Sequence, residues 1–189
     1  MHLFLSILVI LYAALGAAAH PWPTDYRSLQ FAHLTAQAAE WDCGPASAAS
    51  LLILLGRQPT SGIALDKTEG ISLYTLQKIL EHSGVDSVGY TISWPQLEAY
   101  FSDPEAPPVI VHTDDPTEHF AVLLTRKLGH VLLADPSLGL HALPETRFQE
   151  QWTGYVLVPI VTGPTPWDRS PMFQTLQRRL QFLNTALQF

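Results

Sequence analysis

Residues 46–55 are apolar almost without a break, Ser47 and Ser50 being the exceptions, and Gly56 stands where the run ends. Pro45, just before it, suits the first turn of a helix because its missing N–H would be unbonded there anyway. The run therefore predicts a helix buried on all sides. Further on, the spacing of apolar positions becomes 3 and 4: Leu73, Leu76, Ile79 and Leu80 follow Ser72, a good cap, and Gly84 follows them. That pattern predicts an amphipathic helix. Ser93-Trp94-Pro95 opens a shorter third helix carrying Leu97, Tyr100 and Phe101. Between the first two helices, residues 57–70 mix Pro, Ser, Gly and charge, as loops do.

Beyond Pro107-Pro108 the texture changes. Residues 109–112, 120–124, 131–134 and 155–160 are short apolar runs rich in β-branched residues and separated by polar or Gly/Pro segments, which predicts strands. Lys127-Leu128-Gly129 predicts a hairpin between the second and third strands, and residues 144–152 leave room for one or two helical turns. Helices first and an antiparallel sheet second make an α+β chain.

The two ends read differently. Residues 3–14 are apolar but for Ser6, and Gly16-Ala17-Ala18-Ala19 follows, so residues 1–19 are expected to be a secretory signal cleaved after Ala19. The competing reading is a retained anchor, although the n-region carries no Lys or Arg and the stretch is short for a full span. Residues 20–26, rich in Pro and Trp, read as an extended arm. Gly163-Pro164-Thr165-Pro166 breaks the chain again, and Leu176, Leu180, Leu183 and Leu187 then predict an amphipathic helix over 172–189. That helix would pack on its parent domain or dock to a partner or membrane surface. The expected organisation is thus 1–19 signal, 20–162 a single domain, and 163–189 linker and helix.

Composition narrows the function classes. Of 189 residues 47% are hydrophobic and 14% charged, enough to bury a core and too few charges for a disordered chain. A formal charge of −7, with only the adjacent basic pairs Arg126-Lys127 and Arg178-Arg179, excludes a phosphate-neutralising surface and with it a nucleic-acid partner. No HExxH or CxxC implies a metal, no GxGxxG or GxxxxGK[ST] cradles a phosphate, and no GxSxG presents a serine nucleophile. Neither a cofactor nor a metal is expected.

Cys43 is the only cysteine, and an exported chain that keeps one unpaired thiol suggests a chemical use for it. It stands at the predicted start of the buried helix, where the macrodipole and free N–H groups favour a thiolate. The bland alternative is a buried structural thiol. A thiol nucleophile needs a base, a group to orient the base, and donors for an oxyanion. His119 begins the second strand and Asp135 ends the third, so the predicted hairpin places them at one open end of adjacent strands. Gln37, six residues before Cys43, could supply an amide to the oxyanion beside the Cys43 N–H. His112, with Asp114 or Asp115, competes for the role of base, and Asp42 reads as a helix cap.

Gln37 with Cys43, the string Asp42-Cys43-Gly44-Pro45-Ala46, His119-Phe120-Ala121-Val122, Ala134-Asp135-Pro136 and Phe148 followed by Trp152-Thr153-Gly154 together resemble the C39 family of cysteine peptidases, the bacteriocin-processing, double-glycine enzymes. The resemblance spans about residues 37–160. It implies a papain-like fold, with N-terminal helices including the buried nucleophile helix packed on a C-terminal antiparallel sheet. It also implies Cys43 as nucleophile, His119 as base, Asp135 as its orienting partner and Gln37 as oxyanion donor, with cleavage after small residues such as Gly-Gly. Many family members are the N-terminal domain of a transporter; an export signal points instead to a periplasmic or extracellular enzyme acting on an exported protein, for instance of a secretion or fibre-assembly system. Acyl or amide transfer through the same thioester, and a non-catalytic peptide-binding module, are the alternatives.

Overall fold

The computed structural model describes residues 26–60, 71–114 and 116–162. The segments read as signal and C-terminal helix lie outside them. A short helix α1 (Tyr26–Gln30) leads to a 3-10 turn (Glu40–Asp42) and to α2 (Cys43–Leu54), followed by α3 (Leu73–His82). Then come β1 (Ser87–Thr91), α4 (Trp94–Tyr100), β2 (Val109–Asp114), β3 (Glu118–Lys127), β4 (His130–Asp135), β5 (Gly139–Pro144), α5 (Glu145–Gln151) and β6 (Trp152–Pro159).

The three helices expected from the sequence are α2, α3 and α4. Ser72 Oγ accepts from Thr75 N at 3.1 Å, which caps α3. At α4 the Gln96 side chain reaches back to the Ser93 N–H at 2.8 Å. Leu51 and Leu52 of α2 are fully buried, but Ile53 is exposed, so the helix is buried on most of its circumference and not on all sides.

All six strands form one sheet in the order β1-β6-β2-β3-β4-β5, every neighbour antiparallel. Side chains alternate across it, so the sheet has two cores. On one face α2 and α3 pack on Ile110, Phe120, Val122, Leu124 and Leu132. On the other Leu97 of α4 and Phe148 of α5 pack against Val109, Val111, Leu123 and Val156. Arg126, half of an adjacent basic pair in the sequence, is spent inside the fold: it bonds Glu98 of α4 at 2.6 Å and Glu145 of α5 at 2.9 Å, and lies over the Trp94 ring.

The hairpin between β3 and β4 is a two-residue turn. Leu128 and Gly129 both have positive φ, 55° and 72°, the geometry that matches the right-handed twist of the strands. Three elements were not expected from the sequence: α1, β1 and β5. Edge strand β1 is exposed but for Ser87 and has Gly at its centre, and β5 buries only its first two residues, which are adjacent, so neither offers the strong alternation that marks a strand. Among the described residues no helix is long and apolar enough to cross a membrane.

Candidate active site

Cys43 is the first residue of α2 and is buried. The reason for glycine after it is packing rather than a turn: a Cβ on Gly44 would lie 2.6 Å from Ile71 Cγ2 and 3.0 Å from Leu76 Cδ2. Glycine thus lets α3 approach the start of the cysteine helix. Asp42 occupies the cap position of α2 but does not cap it. Its carboxylate instead accepts from the N–H groups of Ala38 and Ala39, at 3.0 and 3.1 Å, and shapes the loop between Gln37 and Cys43.

His119 and Asp135 meet as the hairpin geometry predicts. The last β3–β4 pair is Val122 with Ala134, so residues 118–121 run on paired only with β2. Across this open end His119 Nε2 lies 3.1 Å from Asp135 Oδ2. The other carboxylate oxygen, Oδ1, accepts from Ser137 N and Ser137 Oγ, both at 2.7 Å, and from Leu138 N at 3.0 Å. Asp135 is therefore rigidly held before it touches the imidazole.

The same imidazole also interacts with the Cys43 thiol, each shifting the other. The electrostatics follow from these contacts. Burial pushes the Cys43 thiol up, but hydrogen bonds from the His119 side chain and the Phe120 and Gly44 backbones, with the imidazolium charge, outweigh it and hold the thiol below its ordinary value. Burial also pushes His119 down, yet bonds to Asp135 and Cys43 raise it to about 9. Asp135 is raised by burial and pulled down further, to about 2, by His119 and Ser137. Near neutral pH the imidazole is charged, the carboxylate is ionised, and the thiol is shifted toward thiolate.

Gln37 sits beside the same strand end, its N–H donating to the Pro136 carbonyl at 2.8 Å. Its side-chain Oε1 is buried and has no hydrogen-bond partner among the described residues. His112, the competing base, is engaged elsewhere: its Nδ1 lies 3.0 Å from Thr153 Oγ1, and that hydroxyl donates to the His112 carbonyl. Thr153 must therefore accept at Nδ1–H, which fixes the His112 tautomer. A cavity of about 310 Å³ opens against His119 and Asp135, lined also by Thr113, Leu133, His141 and Phe148. Among the described residues no group of three His, Cys, Asp or Glu side chains could hold a metal ion.

The model of the peptidase C39 family matches residues 32–162, which is most of the chain and the whole of the site. The chain belongs to the peptidase C39 family. It is a cysteine peptidase. It is 24% identical over 173 residues to the probable functional amyloid protease FapD of Pseudomonas aeruginosa, covering 80% of this chain and 75% of that one. To the FapD of Pseudomonas fluorescens it is 26% identical over 160 residues, covering 78% and 69%. Among solved structures it resembles the peptidase domain of Streptococcus mutans ComA, with a TM-score of 0.52 at 21% identity over 68% of this chain and 99% of that domain. It also resembles a double glycine motif protease from an AMS/PCAT transporter in complex with the leader peptide, with a TM-score of 0.51 at 22% identity over 68% and 91%. The α+β fold of this C39 peptidase is thus the papain-like one.

Proposed function

We propose that this C39 peptidase is an exported endopeptidase that cuts a protein substrate through Cys43, His119 and Asp135. The observation that supports this most is the imidazole of His119, 3.1 Å from Asp135 Oδ2 and interacting with the thiol at the head of α2. In this reading the Cys43 thiolate attacks the scissile carbonyl, and the imidazolium of His119 delivers its proton to the leaving amine. The neutral imidazole then takes a proton from water as that water opens the thioester. Asp135 does not exchange protons; it keeps the ring oriented and stabilises its charge.

The oxyanion would form at the N-terminus of α2, near the Cys43 N–H and the side-chain amide of Gln37. The loop from Gln37 to Cys43, tied down by Pro136 and Asp42, suits this role because a preorganised donor needs a fixed backbone. Gly-Gly or a comparable pair of small residues before the cut is the specificity the family membership favours. The FapD relatives are named for functional amyloid, so an exported protein of a fibre-assembly or secretion system is the substrate class we infer. Residues 1–19, apolar and followed by small residues, support export to the periplasm or beyond, with cleavage or retention of that segment both compatible.

The decisive variant is Cys43→Ala. It should abolish cleavage of a Gly-Gly-containing peptide while leaving far-UV circular dichroism unchanged; retained cleavage would end this reading. His119→Ala should lower kcat by about three to four orders of magnitude. Replacing the second Gly of the peptide with Leu tests specificity separately, and equal kcat/KM for both peptides would remove the small-residue preference but not the nucleophile.

A further inference from the structure

The two polar residues that interrupt the apolar run of α2 are both buried, Ser47 completely and Ser50 nearly so. Each hydroxyl has found a partner outside the helix. Ser50 Oγ accepts from Thr35 N at 2.9 Å, on the loop that leads to Gln37. Ser47 Oγ donates to the Phe120 carbonyl at 2.9 Å, across 73 residues of chain. A buried hydroxyl without a partner is costly, but alanine would avoid that cost altogether and suits a helix better. The hydroxyl of Ser47 therefore calls for a use.

Its partner supplies one. Phe120 directly follows His119, and its backbone is one of the groups that hold the Cys43 thiol below its ordinary value. Ser47 lies one helical turn beyond Cys43, on the same side of α2. Residue 120 is thus fastened to that helix through its carbonyl, which Ser47 holds, beside the sulfur whose state its backbone influences. This fastening falls where β3 has lost its β4 neighbour and is paired only with β2. Beyond the packing of Phe120 and Val122 in the core shared with α2, it is a directional contact between the segment bearing His119 and that helix.

We propose that Ser47 is a positioning residue: its hydroxyl ties the Phe120 carbonyl to the nucleophile helix and so fixes the imidazole of His119 and the Phe120 backbone against the Cys43 sulfur. The proposal rests on Cys43 and His119 being the reacting pair. Serine does here what no apolar residue of the helix can, which is to set the register between α2 and β3.

Because the chain has one cysteine, the rate of alkylation by iodoacetamide reports on Cys43 alone. Ser47→Ala should shift the pH profile of alkylation upward, slowing the reaction at pH 6 by about five- to tenfold, and should lower kcat by about tenfold with KM unchanged. Ser50→Ala also removes a buried hydroxyl of α2 but does not touch Phe120, so it should leave the alkylation profile where it is. Ser47→Thr keeps the donor and should restore the wild-type profile relative to alanine. If Ser47→Ala does not fold in buffer, the same readings are taken in trimethylamine N-oxide, which favours the compact state. A folded Ser47→Ala protein with wild-type profile and kcat overturns the proposal, as does an equal shift in Ser50→Ala. Should wild-type Cys43 itself alkylate like a free thiol, the failure lies in the pairing of Cys43 with His119 and not in Ser47.

Discussion

Asp135 shows how much depends on one carboxylate. Its Oδ1 is fully occupied by Ser137 and Leu138, which leaves Oδ2 aimed at His119. The His119 imidazole, raised to about 9 by this contact and by the thiol, is protonated through neutral pH and loses its proton as the pH rises through about 9. Activity that needs the imidazolium should therefore show an alkaline limb near pH 9. An amide cannot stabilise the charged ring as a carboxylate does, so Asp135→Asn should bring that limb down toward the ordinary histidine range. The fall in kcat/KM at pH 8 should then be about tenfold or more. A pH–rate profile of both proteins checks this; an unmoved alkaline limb in Asp135→Asn would show that the carboxylate does not set the state of His119.

At the scale of elements, the β3–β4 turn carries a correctable strain. Leu128 sits at a φ of 55° and is exposed, an uncommon conformation for a leucine and one that asparagine tolerates well. Leu128→Asn should stabilise the protein by about 0.5–1 kcal/mol, measured by urea unfolding. The same comparison shows what was legible beforehand. α2, α3, α4 and the hairpin could be read because caps, apolar spacing and a turn pair announce them locally. The meeting of His119 with Asp135 was legible for the same reason, as it follows from a hairpin. β1 and β5 were hidden because an edge strand is specified by its neighbour more than by its own residues. Asp42 was misread in part: its position is that of a cap, but its carboxylate folds back to Ala38 and Ala39, a choice made by the preceding loop. The need for glycine at 44 was equally invisible, since it is set by Ile71 and Leu76 of another segment.

On the scale of the whole molecule, the two faces of the sheet divide the labour. α2 and the sulfur lie with one core, while α4 and Arg126's ion pairs belong to the other. Leu97, almost wholly buried in the second core, can be shortened without disturbing α2. Leu97→Ala should cost about 2–5 kcal/mol in unfolding free energy yet leave kcat/KM near wild type under conditions where the variant is folded. A large loss of activity in folded Leu97→Ala would mean that the two cores are mechanically coupled through the sheet. The 73-residue separation between Ser47 and Phe120 has a further consequence in time. Contacts so distant along the chain close late in folding, after local helices and hairpins exist. A chain whose helices and hairpins exist before this contact has closed would therefore carry its sulfur in an inert form. Competence to cut would switch on with the final collapse, well after secondary structure has formed.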